Sequence, residues 1–133
     1  MTKDEFVDAV KQRANIDSEE AERITSAVFL TLRSRLSPEE ITDISESLPG
    51  DIEGLWEGRW LQRMLSRLQS LREMDEYEFL EQVRQAADLP DLNQAERMTE
   101  IVFGVLKSAI PQVEVEHISR ELPEDLRGFW KAA

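Results

Sequence analysis

The chain has no cysteine, a single histidine, a single tyrosine and five glycines. Without cysteine, disulfides and thiol chemistry are excluded, and a reducing cytoplasm is permitted. No stretch approaches the roughly 20 consecutive apolar residues that a membrane-spanning helix needs. The opening MTKDEFVDAV turns acidic at once and carries no apolar leader core, so no secretory signal is expected. The glycines never form a G-x-G-x-x-G or a Walker pattern, which removes the usual phosphate-cradling loops. Cations are scarce: 16 Lys and Arg stand against 28 Asp and Glu, a net charge of -12. So acidic a surface repels phosphate backbones, because nucleic-acid binding needs cations to displace counterions. It is equally ill-suited to anionic membranes.

What is present is a folded-protein composition and a duplication. Apolar residues make up 41% of 133 positions, enough for a core of ordinary size. Residues 4–58 and 77–132 are two copies of one unit. At an offset of 73, Glu5, Phe6, Val10, Gln12 and Ala14 match Glu78, Phe79, Val83, Gln85 and Ala87. After one inserted residue near Pro90 the offset becomes 74. Ala21-Glu22-Arg23 then matches Ala95-Glu96-Arg97, and Val28-Phe29 matches Val102-Phe103. Further on, Ile44-Ser45, Leu48-Pro49, Gly54 and Trp56 match Ile118-Ser119, Leu122-Pro123, Gly128 and Trp130. About two in five aligned positions are identical, well above chance.

Each unit divides into four helices. The first is predicted over about Lys3 to Ala14 and Glu76 to Ala87, with Thr2/Glu5 and Asp75/Glu78 at capping-box spacing. The second is predicted over about Ser18 to Leu36 and Leu92 to Ile110, opened by Asp17/Glu20 and Asp91/Gln94. Its Val28-Phe29-Leu30 triplet spreads around the helix, which places it at the centre of the unit. Ser37-Pro38-Glu39-Glu40 starts the third with Ser as N-cap, Pro at N1 and Glu40 at N3, the spacing of a capping box, whereas Pro111-Gln112-Val113-Glu114 lacks the serine. The third helix stops before Pro49 and Pro123. A short fourth runs from Pro49 to about Glu57 and from Pro123 to about Lys131. No run alternates with period two, so no strand is expected.

Between the copies lies Trp60 to Met74, WLQRMLSRLQSLREM. Leu61, Met64, Leu65, Leu68 and Leu71 recur at helical spacing, with Arg63, Arg67 and Arg72 on the other face. Residues 1–60 and 75–133 each carry -7, while 61–74 carry +2, so the connector is the one cationic segment. Trp60 has no counterpart in the second copy. Trp60, Leu61, Met64 and Leu68 are therefore the candidate partner surface, set against the commoner reading of such a stripe as intramolecular core.

The repeated signature is Phe6, Ala21-Glu22-Arg23, Leu48-Pro49 and Trp56, with Phe79, Ala95-Glu96-Arg97, Leu122-Pro123 and Trp130 as second copies. It resembles the bacterial domain-of-unknown-function family 2267 over nearly the whole chain. The resemblance implies an all-helical cytoplasmic bacterial protein and brings no catalytic residue.

Candidate chemistry is sparse. A di-iron carboxylate bundle needs two Glu-x-x-His motifs and two further glutamates. Glu114-Val115-Glu116-His117 offers one motif, and the equivalent Glu40-Ile41-Thr42-Asp43 has aspartate where histidine is required. His117 is read as a surface histidine, and no metal or cofactor is expected. No serine sits in a nucleophile elbow. The pairs Glu19-Glu20 and Glu39-Glu40 lie in first helical turns, where the helix dipole accounts for them. Glu22, Arg23, Glu96 and Arg97 are repeated charges on otherwise apolar helices. They form either structural pairs with a neighbouring helix or a ligand set.

The expectation is an all-α protein of two similar four-helix units, 1–58 and 75–133, joined by an amphipathic connector helix at 59–74. The units are expected to pack about a pseudo-twofold axis as one compact domain, since about 55 residues alone are marginal. The favoured function is a non-enzymatic interaction or regulatory module that binds a protein partner or self-associates. The alternative is a small-molecule-binding or enzymatic protein with a cleft between the repeats.

Overall fold

The computed structural model describes residues 1–48, 50–57 and 76–133; the expected connector helix, the Asp75 cap and Pro49 lie outside these. The described residues form helices joined by short connections, with no strand among them. None of these helices is long and apolar enough to cross a membrane.

Local chemistry accounts for most helix ends. α1 (Lys3–Ala14) begins with a complete capping box: the Thr2 hydroxyl accepts from the Glu5 amide at 3.1 Å, and the Glu5 carboxylate accepts from the Thr2 amide at 3.3 Å. It ends where Asn15 turns left-handed (φ 57°) and the Ile16 amide reaches back to the Lys11 carbonyl at 3.2 Å. The second copy ends identically, with Asp88 at φ 57° and the Leu89 amide on the Arg84 carbonyl at 2.9 Å. This six-to-one closure satisfies an orphan carbonyl. Asn and Asp are the non-glycine residues that best tolerate that backbone.

α2 (Ser18–Arg33) is capped by Asp17, whose carboxylate accepts the Glu20 amide at 2.8 Å. It stops three residues short of the expected Leu36. The Arg35 and Leu36 amides close tighter turns onto Leu32 and Arg33, which delivers Ser37 in the extended conformation that Pro38 requires. α3 (Pro38–Ser47) follows, then α4 (Glu53–Glu57). α4 is shorter than the helix expected from Pro49, because Gly50, Asp51 and Ile52 form a turn. The second copy supplies α5 (Glu76–Ala87), α6 (Leu92–Ala109), α7 (Gln112–Glu121) and α8 (Glu124–Ala132). There the last helix does begin directly after the proline. Arg127 of α8 donates to the Ser119, Arg120 and Leu122 carbonyls at the end of α7. The equivalent residue of α4 is Glu53, an acceptor, which takes the Ser45 hydroxyl instead.

The two first helices and two second helices close into a ring. α1 packs on α2 of its own repeat and on α6 of the other; α5 packs on α6 and on α2. α3 meets α7, so the contacts of one repeat have counterparts in the other. The repeats thus share one apolar interior, whose largest fully buried side chains come in equivalent pairs: Phe6 and Phe79, Phe29 and Phe103, Trp56 and Trp130. In each repeat they stack edge to face. Phe29 lies 5.6 Å from Phe6 and 5.2 Å from Trp56; Phe103 lies 5.8 Å from Phe79 and 4.9 Å from Trp130. Such contacts are each worth about 0.5–1.5 kcal/mol beyond the area they bury.

Candidate functional site

The repeated arginines are anchored across the repeat boundary. Arg23 Nε donates to the carbonyl of Ala87, the last residue of α5, at 2.9 Å. Arg97 Nη2 donates to the carbonyl of Ala14, the last residue of α1, at 3.5 Å. Each second helix therefore caps the other repeat's first helix, placing a cation on orphan carbonyls at the negative end of its dipole. Their glutamate neighbours do less. Glu22 pairs with Lys3 at 3.2 Å on a half-exposed surface, and Glu96 is exposed. Arg23 also lies 3.8 Å from Glu20. The depression beside it is edged by Asp17, Glu19 and Glu20, without Arg97. Replacing Arg23 by methionine is expected to cost about 1–2 kcal/mol in urea unfolding, and Arg97→Met less, because its bond is longer. Equal and negligible losses would remove the capping role.

The repeated tryptophans are likewise engaged inside. Trp56 Nε1 donates to the Ile41 carbonyl at 3.4 Å and Trp130 Nε1 to the equivalent Val115 carbonyl at 3.1 Å, tying each fourth helix to the third. A cation covers each ring, Arg33 at 5.8 Å and Lys107 at 5.6 Å. The same cation donates to the carbonyl of the tryptophan that it covers. The other candidate surface residues, Trp60, Leu61, Met64 and Leu68, lie outside the described residues.

The unexpected feature sits where α3 meets α7. Glu40 and Glu114 occupy equivalent positions in the two repeats, and their carboxyls face each other across the interface. Glu40 is 4% exposed and Glu114 9%. His117, one turn along α7 from Glu114, brings Nδ1 to 3.7 Å from Glu40 Oε2 and 3.8 Å from Glu114 Oε2. One ligating atom from each of the three residues lies within 4.8 Å of the others. With both carboxyls ionised, Glu40 Oε1 and Glu114 Oε2 are buried without a hydrogen-bond partner among the described residues. Burial, above all, holds the Glu40 carboxyl protonated up to about pH 8. Its hydrogen bond and charge repulsion with Glu114 add to this, as do the charges of Glu121 and Asp43.

This corrects the reading of Glu40 as a helix-dipole residue and as the acid of a capping box. Its amide does bond Ser37 Oγ at 3.2 Å, but its carboxyl turns inward to Glu114. The Ser37 amide donates to Glu121 of the other repeat instead, at 2.7 Å. A signal for this was present in the sequence. The second copy keeps glutamate at this position although Pro111 offers no capping side chain, so capping could not be its purpose there.

Comparison with protein families gives a single description for both halves. A family described as "Uncharacterized conserved protein (DUF2267)" matches residues 3–77 and again residues 76–133. No curated protein matches the chain.

Proposed function

The chain belongs to the DUF2267 family, in two consecutive copies, and from that premise we propose that it is a non-enzymatic helical interaction module of the cytoplasm. Its partner is a protein segment of basic character. One observation carries this reading: the aromatic and arginine side chains that the two repeats have in common are already engaged within the fold. The phenylalanines and tryptophans fill the core, and the arginines cap helices across the repeat boundary. The surface left to solvent is dominated by carboxylates. The depressions along α1, at the start of α2 and at the start of α3 carry Asp4, Glu5, Asp8 and Glu22 against Lys3, Asp17, Glu19 and Glu20 against Arg23, and Glu39 with Asp43, whereas the one between α6, α7 and α8 has the opposite balance, with Lys107, Arg120 and Lys131 against Glu116. A cationic segment is steered to such a surface, and the attraction is screened by salt. The stripe Trp60, Leu61, Met64 and Leu68 supplies apolar contacts to the same partner.

The test is a pull-down at about 50 mM and about 500 mM salt combined with light scattering of the eluate. A stoichiometric basic protein, captured at low salt and released at high salt, is the expected result. Recovery of a small metabolite with no protein partner would overturn the reading. So would retention that ignores salt.

The alternative, a ligand held between the repeats, is not favoured by the arginines, which are bound to helix ends. It is favoured by the buried carboxyl pair.

A further inference from the structure

We propose that Glu40, Glu114 and His117 form a binding site for one divalent transition-metal ion of the zinc class, clamping α3 of the first repeat to α7 of the second. Two independent observations carry the site. The first is the donor set: two carboxylates and an imidazole converge from two helices, with Glu114 and His117 on one face of α7 at i, i+3 spacing. Mixed carboxylate and imidazole ligation suits Zn²⁺, Mn²⁺, Fe²⁺ or Co²⁺ rather than the all-oxygen preference of Ca²⁺ and Mg²⁺. The second is the unmet valence of Glu40. It is almost wholly buried, and with both carboxyls ionised its Oε1 has no hydrogen-bond partner among the described residues. Neither carboxylate has a lysine or arginine partner among them either.

A buried pair of carboxylates needs something positive between them. A shared proton meets that need in part; a divalent cation meets it fully. Metal–ligand bonds of about 2.0–2.2 Å put neighbouring donors about 3.3–3.5 Å apart in a tetrahedral site. The histidine nitrogen already stands 3.7 and 3.8 Å from the two carboxylates. Small rotations of the three side chains close the remainder. The fourth position is left to water, as three protein ligands allow.

The charges around the pair reinforce the preference for a cation. Asp43, the first repeat's equivalent of His117, and Glu121 of α7 both add negative potential at Glu40. On α4, Glu53 is occupied by the Ser45 hydroxyl at 3.2 Å. Metal and proton compete for the same oxygens, so affinity rises with pH and binding releases a proton. The sequence alone shows one Glu-x-x-His motif and no second histidine, a pattern too short for a di-metal centre. The third ligand comes from 74 positions away in the chain, and only the α3–α7 contact reveals it.

The experiment titrates Zn²⁺ and Co²⁺ into the 133-residue chain previously stripped with EDTA, reading calorimetric stoichiometry, melting temperature and the Co²⁺ visible spectrum. One ion per chain is expected, with a raised melting temperature, tetrahedral Co²⁺ bands and tighter binding at pH 8 than at pH 6.5. Mg²⁺ should not compete. Glu40→Gln and His117→Gln should each weaken binding about tenfold or more while the metal-free fold is retained. Glu40→Gln is the safer control, because an amide can bond Glu114 without a charge. Absence of binding overturns the site. So do several weak ions per chain that persist in both variants, which would mark adventitious binding to the acidic surface.

Discussion

Replacing Glu40 by glutamine is expected to raise the melting temperature of the metal-free protein at pH 8 by roughly 5–15 °C, and to leave it nearly unchanged at pH 5. Proton linkage sets the sign of the effect. Glu40 titrates near 4.5 in an unfolded chain and near 8 in the fold, because burial and Glu114 oppose its ionisation. Below 4.5 the side chain is protonated in both states and costs nothing. Between 4.5 and 8 the unfolded chain has released a proton that the native state keeps. Stability therefore falls as pH rises, by up to about 1.4 kcal/mol per unit. Above 8 the loss is complete, on the order of 2–4 kcal/mol for a pair that relaxes in part. An amide does not ionise and can donate to Glu114, so the variant escapes the whole penalty.

Glu81 works in the opposite sense. Hydrogen bonds from Arg84 and Gln85 hold its carboxyl down to about pH 2, so its smaller contribution is present above 4.5 and lost towards pH 2. Metal-free protein should be most stable near pH 5, where the net charge is also less negative than the -12 of pH 7. Thermal melts from pH 4 to 9 in EDTA decide the matter. A wild-type curve that rises steadily from pH 5 to 8, or a Glu40→Gln variant that parallels it, would remove the buried pair from the account.

Trp130→Ala should lower the unfolding free energy by about 4–5 kcal/mol, a large part of the 5–15 kcal/mol that such a domain possesses. The ring is fully buried and stacks on Phe103 at 4.9 Å. Its indole holds the Val115 carbonyl at 3.1 Å, and Lys107 lies over its face. Truncation leaves a cavity, an unbonded carbonyl and a cation without its cover. Trp56→Ala should behave alike, with a slightly smaller loss because its hydrogen bond to Ile41 is 3.4 Å. Urea unfolding followed by circular dichroism measures both. We further propose that residues 1–133 unfold as a single domain, so each variant should keep one transition at a lower midpoint. Two transitions, of which only one moves, would mean that the repeats are separate beads. A loss below about 2 kcal/mol would place α8 outside the cooperative unit.

Helical content, the duplication and most helix boundaries could be read without coordinates, because their causes are local. Thr2 with Glu5, Asp17 with the Glu20 amide and Asp91 with the Gln94 amide bond within one turn. A residue pattern can express such bonds directly. Phe6, Phe29, Trp56 and their copies were legible as core for a related reason: helical period and repeat position both mark them as apolar and inward. The early end of α2 and the shortness of α4 were not legible, since the tightened turn before Pro38 and the turn over Gly50, Asp51 and Ile52 depend on how the next helix is placed.

The roles of charged residues were decided only by tertiary structure. Arg23 and Arg97 announced themselves by repetition, but a sequence cannot say that each reaches the far repeat's helix end. Glu40 is chemically the same residue as its exposed neighbour Glu39, and the same local rules apply to both. One faces water and the other faces Glu114, because α3 is laid against α7 by apolar packing elsewhere in the chain. A charge takes its meaning from the dielectric and the partners around it, and those are set by segments distant in sequence. Apolar periodicity thus determined which helices exist and which faces they bury. The meeting of the two repeats determined which carboxylates lost their water.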